Sequence, residues 1–194
     1  YDAPTARAKV LKILAGERLV KNAEPGQEVQ IIVSTTPFYG ESGGQVGDKG
    51  LIRGPGLLGE VKDTQRPAED VYVHHVLIKE GTLTEGMEIE LEVDQALRQR
   101  TMLNHSATHL LHAARRKFLG ELVRQAGSLV APDRLRFDFT HFSAVEKAQR
   151  TDIENWVNEQ VLRNTETVLE HLPYKEALQR GAIALFGEKY GDRV

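Results

Sequence analysis

The chain has 194 residues, 40% hydrophobic and 27% charged, with a formal net charge of −3, which suits one large domain or two small ones. It contains no cysteine, so disulfides, thiolate nucleophiles and thiolate zinc ligands within the chain are excluded. No apolar run approaches the ~20 residues of a membrane span and no signal peptide opens the chain, so a cytoplasmic protein with no membrane partner is expected. Tyr1-Asp-Ala-Pro-Thr5 reads as an excision point inside a longer protein.

Residues 6–13 alternate polar and apolar and predict a half-buried strand. Ala15-Gly16 predicts a turn, residues 17–21 a return strand, and Glu24-Pro-Gly26 a second turn. A Val/Ile-rich strand is expected over 28–34, then short strands over 50–53, 59–62 and 71–78, with alternation again over 88–93. Short strands punctuated by glycine predict a small β-barrel over residues 1–93. Residues 94–194 are expected to form a second, α/β domain, making the chain α+β, with a long helix packed on an antiparallel sheet. That helix is capped by Asp94 and stopped by Gly120. A hairpin over 122–131 and 135–140 turns at Pro132-Asp133. An amphipathic helix over 145–163, a strand over 167–172 and a short helix over 174–180 complete the expectation.

Within the long helix lies Asn104-His-Ser-Ala-Thr-His-Leu-Leu-His112. His105 and His109 are four residues apart and share one side of a helix at 3.6 residues per turn. His112, Thr101, Thr108 and Arg116 fall near that side; Leu103, Ala107, Leu110, Leu111, Ala114 and Phe118 take the other and predict an apolar back. Two neutral imidazoles one turn apart suit a transition metal, although solvated histidines on a polar face fit the spacing as well. Ser106 follows His105, so the H-E-x-x-H zincin pattern and its general base are absent.

Charge is unevenly spread. Residues 97–136 hold 8 Lys+Arg against 2 Asp+Glu, whereas residues 1–96 hold 10 against 16. Arg115, Arg116 and Lys117 are the densest part of the basic segment. A local positive field fits RNA, and a solvated face fits equally on charge alone.

Longer motifs narrow these alternatives. Thr36-Pro-Phe-Tyr-Gly-Glu-Ser-Gly-Gly-Gln-Val-Gly-Asp48 resembles the glycine motif of alanyl-tRNA synthetase editing domains. The stretch from Asn104 to His112 resembles their zinc-binding H-x-x-x-H motif. Gln125-Ala-Gly-Ser-Leu-Val130, Leu135-Arg-Phe-Asp-Phe-Thr-His141 and Gly181-Ala-Ile-Ala-Leu-Phe-Gly-Glu-Lys-Tyr190 are similar in order and spacing. The last makes the chain more similar to the bacterial synthetases than to the free-standing AlaX proteins.

The resemblance implies zinc-assisted hydrolysis of tRNA(Ala) mischarged with serine or glycine, with an aminoacylation domain upstream in the parent enzyme. It implies zinc on His105 and His109, with the other two ligands, from a C-x-x-x-H motif, expected beyond Val194. Zinc occupancy of this chain is therefore expected to be low. It implies catalytic roles for His109 and Gln125, and substrate contact by Gln125, Gly43, Gly44 and Thr36. Thr36 matches the threonine that recognises the serine hydroxyl. Asp48 is expected to be structural, and Phe38 and Tyr39 core or site wall. His112 is expected near the metal or in solvent, and His141 near phosphate; His74 and His75 receive no role. A tRNA-docking module without turnover is the competing expectation.

Overall fold

In the computed structural model, residues 3–120, 123–166, 168–182 and 191–194 are described. The chain divides into two compact units, Tyr1–Glu159 and Gln160–Val194.

Strands β1 (Thr5–Ala15), β2 (Arg18–Val20), β3 (Asn22–Ala23), β4 (Glu28–Val33), β5 (Gly50–Gly54), β6 (Leu57–Ala68), β7 (Val71–Glu80), β8 (Leu83–Thr84) and β9 (Glu88–Val93) precede the long helix. Six of them close a barrel in the order β1-β4-β7-β6-β5-β9, with β9 returning to β1; β2 extends the sheet beyond β1. Closure depends on β1. Thr5 to Lys9 pair with β9, the register shifts between Val10 and Lys12, and Val10 to Leu14 pair with β4. A bulge bends a strand, so one strand serves two neighbours and no open edge is left in the six-strand ring. Alternation fills the interior. Ile13, Ile31, Ile52, Ile78, Leu83 and Leu91 are completely buried and share one apolar cluster. Burial of this kind is the dominant favourable term in folding.

The expected strand over 59–62 is in fact twelve residues long. Its polar half, Asp63-Thr64-Gln65-Arg66, hides the period, because the inward residue there is a threonine. Thr64 is fully buried and donates to the Asp48 carbonyl at 3.0 Å, so it satisfies its hydroxyl inside the barrel wall.

Helix α1 (Gln95–Leu119) begins where Asp94 Oδ1 accepts from Leu97 N at 3.0 Å and ends at Gly120, φ +98°. The hairpin β10 (Arg124–Val130) and β11 (Leu135–Thr140) follows, antiparallel, with a bulge between Gln125 and Gly127. Helices α2 (Lys147–Arg163) and α3 (Tyr174–Gln179) come next. Residues 168–172 form no strand; Leu172 and Val194 instead exchange two backbone hydrogen bonds of 2.9 Å. Most of the motif over 181–190 lies outside the described residues.

The periodicity of α1 predicts its buried face only in part: Ala114 of the expected apolar back is buried and His109 of the polar side is exposed, but polar residues share the buried positions. The buried residues are Arg98, Thr101, Thr108, Ala114 and Arg115, whereas Leu103, on the expected apolar back, is 61% exposed. These polar residues are buried where their groups find partners. Thr101 and Thr108 donate to the carbonyls four residues back, and Asn104 donates to Ala131 O at 2.7 Å. A satisfied polar group is inexpensive to bury.

Candidate functional site

The stretch from Ser42 to Asp48 runs along α1 and is fastened to it at two points. Asp48 Oδ2 accepts from Arg98 Nε at 3.1 Å and from Arg98 Nη2. Both side chains are buried, and Arg98 also donates to Pro37 O at 2.6 Å, while Asp48 accepts from Tyr39 N at 2.7 Å. The second fastening joins Gln45 Oε1 to His105 Nδ1 at 2.6 Å. Three residues of extended chain and seven of helix each cover about 10 Å, so the two attachments match in length.

The two glycines just before Gln45 serve the backbone. Ser42 and Gln45 exchange backbone hydrogen bonds of 3.2 and 2.9 Å around Gly43 (φ +59°) and Gly44 (φ +83°). Positive φ at both central residues is the type I′ geometry that favours glycine. A Cβ on Gly44 would lie 2.7 Å from Ser128 O, so the turn also packs tightly on β10. Val130 N donates to Gly44 O at 2.7 Å and Val46 N to Val130 O at 3.0 Å, which closes the contact. No described residue lies within 4 Å of the Cβ position of Gly43.

Beside this turn, the imidazoles of His105 and His109 stack with centroids 5.1 Å apart and planes 12° apart. His105 is half-buried and His109 exposed. Burial, followed by the neighbouring His109, lowers the pKa of His105 and favours the neutral ring a metal needs. Gln125 is exposed on β10, paired with Phe139, three residues along from the Ser128 that touches Gly44. The structure thus brings His105, His109 and the glycine turn together, with Gln125 on the adjoining strand and, among the described residues, no hydrogen bond from it to either ring.

Thr36 is bonded to residues outside this cluster. Its hydroxyl is 2.8 Å from His74 Nε2 and accepts from Phe38 N at 3.1 Å. His74 is completely buried on β7, with Nδ1 3.4 Å from Ile31 O. The carbonyl can only accept, so Nδ1 carries the proton and Thr36 donates to Nε2. Burial pushes the His74 pKa down to about 4. Phe38 packs edge-on against the same ring at 5.4 Å and is buried. Thr36 also lines an open cleft of about 560 Å³ with Thr35, Tyr39, Arg66 and Tyr72.

The basic triplet does not form one surface. Arg115 is 3% exposed, with its guanidinium 3.5 Å from the Phe137 ring centroid and 4.2 Å from that of Phe139. Its terminal nitrogens are buried without an acceptor. Its guanidinium is therefore enclosed between two rings, not presented on the surface with Lys117. Lys117 is exposed and lies over the Trp156 ring at 5.4 Å. His112 stacks on Phe137 at 5.5 Å and has a lowered pKa from burial, then from Arg115 and Arg116. His141 Nδ1 is buried without a partner.

Sequence reasoning overlooked Gln45 and His74. Gln45 is 1% exposed and completes the Gly-Gly-Gln turn, so a buried amide next to an obligatory turn was the available signal. His74 occupies an inward position of an alternating strand, which marks it as a core histidine.

As a metal site the donor set fits zinc in kind and is incomplete in number. Two imidazoles lie one turn apart, and one has its Nδ1 occupied by Gln45. Among the described residues, no group of three or more His, Cys, Asp and Glu side chains is arranged to hold an ion.

Comparison with known proteins follows the same outline. Residues 1–97, covering the barrel, match the family tRNA synthetases class II (A). All 194 residues are 49% identical to part of an alanine–tRNA ligase from Anaeromyxobacter sp. (strain Fw109-5). They are 46% identical to one from Thermoanaerobacter sp. (strain X514) and 48% to one from Methylococcus capsulatus (strain ATCC 33009 / NCIMB 11132 / Bath). In each case the chain spans 22% of the relative's length.

Proposed function

Because the chain belongs to the class II (A) tRNA synthetase family, we propose that it is the editing region of an alanine–tRNA ligase. It hydrolyses tRNA(Ala) mischarged with serine or glycine and spares the alanyl ester. The observation that carries this reading is the parallel imidazole pair of α1, fastened to the glycine turn. The 49% identity to an alanine–tRNA ligase over the whole chain supports it.

In the reaction a water oxygen attacks the ester carbonyl carbon. The bond from that carbon to the ribose oxygen breaks, and the free amino acid and intact tRNA leave. The ester is already activated, so placing water and carbonyl together accounts for much of the required acceleration. Gln125, exposed beside the turn, hydrogen-bonds the water or the amino acid. Gly43 leaves its face open to the acylated ribose. His105 and His109 would hold zinc, with further ligands from the parent enzyme. Zinc, when bound, supplies Lewis acidity or orients the amino acid. Thr36 keeps one acceptor lone pair for a serine hydroxyl.

The test is release of serine, glycine and alanine from the matching charged tRNA(Ala), by this chain and by one extended past Val194. The extended chain is expected to release serine much faster than alanine, and the present chain slowly. Equal serine and alanine rates in the extended chain would defeat the proposal. The incomplete donor set favours a second reading, tRNA docking without turnover. That reading requires tRNA binding with no amino acid release by either chain. In both, Arg116 and Lys117 contact phosphate. Neutralising them should reduce the log–log salt slope of binding by about 0.7–0.9 per lost contact. An unchanged slope would identify a solvated face.

A further inference from the structure

We propose that Gln45 is a positioning residue that holds His105 in its Nδ1–H tautomer, leaving Nε2 as the lone pair this ring presents to a ligand. The proposal rests on the reading of His105 as a site residue. The amide oxygen of Gln45 can only accept, so at 2.6 Å the ring nitrogen facing it must donate. In a histidine, the bond made by one ring nitrogen decides which nitrogen is left bare.

Both ends of this hydrogen bond are fixed by the fold. Gln45 closes the Ser42–Gln45 turn and bridges to Val130 of β10. Its side chain is 1% exposed, so water does not compete for the amide. His105 follows Asn104, which is tied to Ala131 O at 2.7 Å, so the helix cannot rotate away. His109 differs. Its ring is exposed and stacks on His105, and among the described residues neither of its nitrogens has a hydrogen-bond partner. The pair is therefore asymmetric, with one ring fixed and one adaptable. The arrangement gives the glycine turn a second purpose, because the same two glycines that make the turn deliver the amide to the imidazole.

The experiment is ring-nitrogen NMR of the 15N-histidine-labelled chain, at a pH where the rings are neutral, for wild type, Gln45→Glu and Gln45→Leu. Backbone amide spectra check that each variant is folded. Wild type and Gln45→Glu, which keep the acceptor, are expected to show His105 protonated on Nδ1 and bare on Nε2. Gln45→Leu is expected to move the proton toward Nε2. Added Zn2+ is the second probe; loss of such an outer partner weakens metal affinity by about 10- to 100-fold. Gln45→Leu should therefore bind more weakly than Gln45→Glu. A wild-type His105 protonated on Nε2, or a tautomer indifferent to Gln45→Leu, overturns the proposal. If the tautomers behave as expected and no variant binds Zn2+, Gln45 stands as the positioning residue and the metal reading of the pair fails. If Gln45→Leu does not fold, loss of Nδ1 protonation in Gln45→Glu is sufficient to overturn it.

Discussion

The hydroxyl of Thr36 is held by two partners, and this changes what its removal tests. Thr36→Val takes the donor from His74 Nε2 and the acceptor from Phe38 N. Each unmet group costs on the order of 1–3 kcal/mol, so the variant should unfold at distinctly lower denaturant concentration. Thr36→Ser should recover most of the loss. A Thr36→Val chain as stable as wild type would show that the hydroxyl is dispensable to the fold and free for substrate. The His74 ring supplies a pH dependence. Its pKa is about 4 in the folded chain, against an ordinary 6.5. Between those values the unfolded chain binds the extra proton, so the stabilisation is complete above about pH 6.5 and is lost as pH falls toward 4. The slope is about 1.4 kcal/mol per pH unit, on the order of 3 kcal/mol in all. Equilibrium unfolding across that range should show the slope in wild type and a weaker one in His74→Gln. Identical slopes would remove His74 as the cause. The motif strings made Thr36 and His105 visible in the sequence; Gln45 and His74 stayed hidden because burial, not residue type, gives them their work.

At the scale of elements, the barrel was legible and the buried face of α1 only in part. Alternation in β9 maps directly onto its buried and exposed positions, since nothing there competes with apolar burial. In α1 the same logic is incomplete. Arg98 and Arg115 are buried against Asp48 and two phenylalanines, which lie 50 residues before and 22 to 24 after them. Period alone cannot announce partners so distant in sequence. The Arg98–Asp48 pair is what fastens the glycine turn's loop to the first turns of the helix, so its loss should be felt at the site. Asp48→Ala leaves a buried guanidinium without its carboxylate, a change that typically costs about 3–5 kcal/mol. It should also weaken the His105–Gln45 bond, read as a shift of the His105 ring signals. A loss under about 1 kcal/mol, with unmoved His105 signals, would show that the ion pair neither stabilises the loop nor positions it.

At the scale of the whole molecule, the question is whether a metal is needed for the fold. In the unit Tyr1–Glu159 the cluster of fully buried isoleucines, leucines and valines lies inside the barrel, away from His109, whose ring is exposed. Two imidazoles form half of a usual zinc shell, and their rings stack without a third ligand group among the described residues. His112 is engaged with Phe137, and His141 has a buried Nδ1. The chain should therefore fold without metal, retain well under one zinc per molecule after dialysis, and give superimposable unfolding curves with and without chelator. The comparison is sensitive. Free zinc at about 100 times its dissociation constant would add about 2.7 kcal/mol by mass action, a shift readily measured in a domain of this size. Stoichiometric zinc that survives dialysis, together with a chelator-dependent midpoint, would mean that His112 leaves Phe137, or His141 its buried position, to complete the site.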